Sequence, residues 1–180
     1  GVPSIVNPFD ACALEMAVRL KEKEGGKVIV ISMGPAQAKN ALKECLAVGA
    51  DQAFLVTDRA FGGSDTLATS YILSCAIKKV AELEGGFDAI FCGKQAIDGD
   101  TAQVGPEIAE HLGLPQVTYA LEAELTDDGL TILKECEDAN QKIAVSLPCL
   151  VTFTKPSFDP RYPTIKRKLA ANRAEIPVLG

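Results

Sequence analysis

"FDAIFCGKQAIDGDTAQVGPEIAEHLG", residues 87 to 113, decides how the chain is read. It opens on "FDAIFCG" (87–93), a short and largely apolar run that reads as a strand. It then passes through a glycine-bearing polar loop, and resumes with "DTAQVGPEIAEHLG" (100–113), which reads as a helix. A short run with no polar alternation fits a strand buried on both faces. Strand, glycine loop and helix in that order form half of a β-α-β unit, so this stretch points to a parallel sheet covered by helices.

The same order recurs upstream. "NPFDACALEMAVRLKEKEGG" (7–26) carries Ala11, Leu14, Ala17 and Val18 on one face and reads as an amphipathic helix ended by Gly25 and Gly26. "KVIVISMG" (27–34) is an apolar strand, and "PAQAKNALKECLAVGA" (35–50) a helix with Pro35 near its first turn and Gly49 past its end. "DQAFLVTD" (51–58) is a strand; "SDTLATSYILSCAIKKVAELEGG" (64–86) is a helix capped by Ser64 or Asp65. Asp100 opens the helix that ends near His111.

Beyond Pro115 the pattern changes. "QVTYALEAELTDDGLTILKECED" (116–138) holds two extended runs joined at Asp127-Asp128-Gly129, a hairpin signal. "KIAVSLPCLVTFTK" (142–155) is extended and broken by Pro148, and "PTIKRKLAANRAEI" (163–176) is a short helix. The expected fold is α/β: an open, mostly parallel sheet with helices on both faces, of the Rossmann-like nucleotide-binding kind, with antiparallel strands added late. Ligands of such sheets bind beyond the carboxyl ends of the strands, where strand order reverses.

Composition narrows the function. The 180 residues suit one domain, with 47% apolar and 23% charged residues, a globular profile. A net charge of −6 opposes nucleic-acid binding, which needs clustered cations. Lys166, Arg167 and Lys168, with Arg161 and Arg173 nearby, read as a solvated helix face. No apolar run approaches the roughly 20 residues that span a bilayer. Six cysteines lack any zinc spacing and sit mostly among apolar neighbours, which suits a reducing, cytoplasmic compartment. The single histidine, His111, suits a helix end better than catalysis.

The strand exits carry what chemistry there is. Neither G-x-G-x-x-G nor G-x-x-x-x-G-K-[ST] follows a strand, and no nucleophile elbow or serine–histidine–aspartate set is present. In 92–105, Gly93 and Gly99 permit close backbone approach, and the amides near Thr101, Ala102, Gln103 and Val104 are free at a helix start. With Lys94 as a cation, these parts suit a phosphate ester. The same residues equally suit a plain turn capped by Asp100, and spacing alone leaves both open. Gly62 and Gly63 before Ser64-Asp65-Thr66 repeat the arrangement at the preceding strand.

At these residues the chain resembles the β subunits of electron transfer flavoproteins. "NPFDACALEMAVRLKEK" (7–23), "SMGPAQA" (32–38), "CLAVGAD" (45–51), "DRAFGGSDTLATSY" (58–71) and "GKQAIDGDTAQVGPEIAEHLG" (93–113) all follow that family's pattern. The resemblance implies a heterodimer with an electron transfer flavoprotein α subunit that carries an FAD, and an adenine nucleotide in the β subunit, either a second FAD or structural AMP. It implies that Asn7, Pro8, Phe9, Asp10, Met33 and Gly34 hold that nucleotide; Asp65, Thr66 and Thr69, at the helix start after the preceding strand, are candidate cofactor-binding residues as well. The phosphates then lie on Gly93, Lys94, Gln95, Ala96, Ile97, Asp98, Gly99, Asp100, Thr101, Ala102, Gln103 and Val104.

The form "AIDGDTAQVGP" (96–106) looks more like the clostridial type, which takes electrons from NADH. That type sends them to an acyl-CoA dehydrogenase and to ferredoxin or flavodoxin by bifurcation. FAD is therefore the expected ligand, with no catalytic residue and no metal. The resemblance further implies a first mid-sheet strand ahead of Gly1 and an arm beyond "AEIPVLG" (174–180). The chain is expected to be a single domain, 1–180, lacking both.

Overall fold

Side-chain parity along the strands explains the layers. In the computed structural model, which describes residues 4–6, 11–33, 39–56, 66–93, 104–127, 129–153 and 164–179, strand β2 spans Val28–Met33. Val28 and Val30 join one buried cluster, while Ile29 and Ile31 join another. Strands β3 (Gln52–Val56) and β4 (Ala89–Gly93) divide likewise: Ala53, Leu55, Ala89 and Phe91 face one way, Phe54, Val56, Ile90 and Cys92 the other. Successive side chains point to opposite faces of a sheet, so a strand buried on both must be apolar at every position.

Helix α1 (Ala11–Glu24) and α2 (Lys39–Val48) close the first face through Leu14, Val18, Leu42 and Cys45. Helix α3 (Thr66–Glu84) and α4 (Val104–Leu112) close the second through Leu73, Ile77, Val80, Ile108 and Ala109. The helices end where glycine permits: Gly25 has φ 81° and its amide donates to Lys21 O at 2.7 Å.

The remaining strands are β1 (Ser4–Val6), β5 (Gln116–Thr126), β6 (Gly129–Lys134), β7 (Gln141–Ser146), β8 (Cys149–Phe153) and β9 (Val178–Leu179), with helix α5 (Ile165–Arg173) between the last two. One sheet of nine strands runs β7-β6-β5-β8-β4-β1-β2-β3-β9. Every pairing from β5 to β9 is parallel; β5–β6 and β6–β7 are antiparallel. The expected fold class is therefore present, including the late antiparallel strands and the hairpin at Asp127–Gly129.

Two details differ from the sequence reading. Ser4–Val6 occupies a mid-sheet place, between β2 and β4, where the resemblance implied a strand ahead of Gly1. The run is three residues long, too short to show a period. Strand β9, two residues pairing with β3, escaped notice for the same reason.

Candidate functional site

Four parallel strands bring their carboxyl ends to one edge. Val6 of β1 lies opposite Val30 of β2 and Phe91 of β4. Beyond those positions β2 continues to Met33, itself opposite Val56 of β3, and β4 continues to Gly93, opposite Phe153 of β8. From β1 the chain builds outward through β2 and β3, then returns so that β4 lies on the other side of β1. Strand order thus reverses between β1 and β4. Helices α1 and α2 cover one face, and α3 and α4 the other, so a crevice between the layers is expected at this switch point.

The predicted site residues fall unevenly on this frame. Met33 and Gly93 are the last residues of β2 and β4. Thr66 opens α3, with Thr69 within its first turns, and Val104 opens α4. All five backbone positions belong to that edge or to helix starts that follow it. Asn7, Pro8, Phe9, Asp10, Gly34, Asp65, Lys94, Gln95, Ala96, Ile97, Asp98, Gly99, Asp100, Thr101, Ala102 and Gln103 lie outside the described residues. The proposed cap by Asp100 and the 94–103 cradle lie outside them as well.

Electrostatics at the edge suits an anion. Each helix start carries unpaired amides and the positive end of the helix dipole. Among the described residues, the first turns of α1, α2 and α3 hold no acidic residue to neutralise it. Helix α4 has Glu107 there.

One polar side chain at this edge was not singled out from sequence. Ser32 of β2 is 2% exposed, and its Oγ has no hydrogen-bond partner. A serine inside "KVIVISMG" (27–34) is the one hydroxyl among apolar neighbours, which was the available signal. An orphaned hydroxyl next to Met33 fits a polar ligand at the strand ends.

Two other features singled out from sequence lie on α4 and α5. His111 sits in the last turn of α4, where a cation complements the dipole, and its ring meets Tyr71 edge-on at 5.7 Å. Lys166, Arg167 and Lys168 are exposed on α5, whose buried residue is Ala171. Among the described residues no group of three or more His, Cys, Asp or Glu could hold a metal ion. The described cysteines, Cys45, Cys75, Cys92, Cys136 and Cys149, are free thiols. No helix among the described residues is long and apolar enough to cross a membrane. A groove between α1 and β5, lined by Arg19 and Lys23 against Glu122 and Glu124, includes none of the strand-end residues.

Comparison with known proteins gives these features a family. The electron transfer flavoprotein domain model matches residues 1–179. The chain is 54% identical over 180 residues to the electron transfer flavoprotein subunit beta of Thermoanaerobacterium thermosaccharolyticum, covering 99% of this chain and 67% of that protein. It is 54% identical over 176 residues to the subunit of the same name from Clostridium acetobutylicum, covering 98% and 66%. It is 51% identical over 166 residues to the caffeyl-CoA reductase-Etf complex subunit CarD of Acetobacterium woodii, covering 92% and 62%. The chain thus spans about two thirds of the length of these curated relatives. An edge built from parallel strand ends, a full-length family match and identity above one half agree: the chain belongs to the electron transfer flavoprotein family, on the side of its β subunits.

Proposed function

We propose that the chain is the nucleotide-holding domain of an electron-carrier subunit, that its ligand is FAD, and that it works beside an α subunit with an FAD of its own. The observation that carries this reading is the strand reversal between β1 and β4. It brings the exits of β1, β2 and β4 together, and most of the residues that the family resemblance assigns to the nucleotide lie at or after those exits in the chain. A bound flavin supplies the redox chemistry, and the protein supplies binding, orientation and electrostatics. Gly93 ends β4 without a side chain, which suits close backbone approach to a phosphate. The starts of α3 and α4, which follow β3 and β4 in the chain, are of the kind that suits anions.

NADH is the proposed electron donor. The α-subunit FAD and an acyl-CoA dehydrogenase receive electrons along one branch, and ferredoxin or flavodoxin receives them along a low-potential branch. Similarity to a subunit of a caffeyl-CoA reductase complex supports a partner that acts on a CoA thioester. The cytoplasm is the compartment we assign, in keeping with the free thiols. No residue of this chain is given a catalytic role.

Counting nucleotides tests the reading. The full-length subunit is purified with its α partner and denatured, and the released nucleotides are quantified. Two FAD per heterodimer, with a flavin spectrum that bleaches on adding NADH, is the expected result. One FAD and one AMP would sink the assignment of FAD to this subunit and favour simple transfer with a structural AMP.

A further inference from the structure

We propose that Ser32 is a ligand-binding residue, its hydroxyl donating a hydrogen bond to an oxygen of the ribose–phosphate part of an adenine nucleotide. The proposal rests on the nucleotide reading above and adds a residue to it.

Three observations converge on Ser32. First, burial without a partner: the residue is 2% exposed and Oγ makes no hydrogen bond. A buried polar group left unpaired is costly, so native structures rarely leave one without a ligand, a water or a protein partner. Second, position: Ser32 pairs with Leu55 of β3, two places past Val30, where the described part of β1 ends. It therefore stands at the carboxyl edge, next to the switch point. Third, direction: Ser32 shares parity with Val28 and Val30, so it points to the face covered by α1 and α2. Helix α1, described from Ala11, runs from this edge on that same face. A hydroxyl and a helix start then bound one side of the crevice.

The other orphan provides a contrast. Gln52 Oε1 is also buried without a partner, but Gln52 opens β3 opposite Ile29, at the far end of the strands. No reversal of strand order lies there. If unpaired polar atoms were a general feature of this core, the two residues would behave alike.

Binding measurements on the full-length subunit with its α partner, stripped of nucleotide, decide the matter, with AMP as the probe. Ser32→Ala is expected to weaken AMP binding by about five- to tenfold, the usual loss for one hydrogen bond. The melting temperature of the nucleotide-free variant should stay level or rise, since an unpaired hydroxyl is removed. Gln52→Ala should bind AMP as the parent does. AMP affinity unchanged within twofold in Ser32→Ala, beside a parent that binds, overturns the Ser32 assignment alone. A fall in the nucleotide-free melting temperature with unchanged affinity overturns it too, and makes the hydroxyl structural. A parent that binds neither AMP nor FAD overturns the nucleotide reading, and the Ser32 assignment with it.

Discussion

Cys45 and Cys149 show what burial does to a thiol. Burial lifts Cys45 from an ordinary 9.0 to about 12, with a smaller push from the neighbouring Glu44 carboxylate against a backbone hydrogen bond that lowers it. Burial alone lifts Cys149 to about 11. Thiols held neutral in this way are poor nucleophiles and poor metal ligands. The sign of the pH effect follows. From pH 9 upward the unfolded chain releases these protons while the folded chain keeps them, so the unfolded state binds fewer protons and stability falls. The contribution is whole below pH 9 and is lost as pH climbs through the folded values, at about 1.4 kcal/mol per pH unit for each thiol. Urea midpoints of the parent should therefore drop more steeply between pH 9 and 11 than those of a Cys45→Ala, Cys149→Ala double variant. Tyrosine and lysine titration is common to both proteins and cancels. Equal slopes would show that these thiols titrate normally.

At the scale of elements, the β5–β6–β7 hairpins separate what local sequence can say from what it cannot. Asp127-Asp128-Gly129 announced the turn between β5 and β6, and Thr126 Oγ1 closes it by donating to Gly129 O at 3.1 Å. The need for glycine has a second cause, however. Gly129 has φ 155°, and a Cβ there would collide with the carbonyl oxygen of Val145 on β7. Backbone cannot step aside without breaking the β6–β7 ladder, in which Gly129 faces Ser146 and Leu130 faces Val145. That approach comes from a strand some sixteen residues away, so no turn rule would have found it. Gly129→Ala should destabilise the domain by about 1–3 kcal/mol, in the range for overpacking. Amide exchange in β6 and β7 should quicken before that in β2 and β3. An unchanged urea midpoint would mean that the ladder yields cheaply. Strands β1 and β9 were missed for a related reason: their pairing, not their composition, makes them strands. Ser32 was passed over because one hydroxyl among branched apolar residues does not disturb a strand pattern.

For the whole molecule, periodicity made the fold class legible but not the order of the strands. Alternating strands and helices imply a parallel sheet whichever strand lies beside which. The placement of β4 next to β1 rather than next to β3 is set by long-range packing of the two helix layers. That placement creates the switch point and so decides where a ligand can sit. The opposite edge is fastened by contacts within the chain. Asp51 Oδ2 accepts from Val28 N at 2.7 Å and pairs with Lys21 Nζ at 3.3 Å, while Asp51 N donates to Val28 O at 2.8 Å. These contacts join the end of α1, the start of β2 and the start of β3. A ligand at the carboxyl edge should then leave an uneven footprint. At about a hundredfold excess over its Kd, AMP or FAD would add about 2.7 kcal/mol to global stability, slowing the amides that exchange only by full unfolding about a hundredfold. Protection gained by local ordering should concentrate in peptides covering residues 28–33, 66–72, 89–93 and 104–112, which reach the switch point. Strand β7 is an edge strand whose residues are exposed or half-buried, so it opens locally and should gain little. Hydrogen exchange of the full-length subunit with its partner, with and without nucleotide, reads this directly. Protection centred on residues 129–146 would place the ligand elsewhere and remove the strand-end site from consideration.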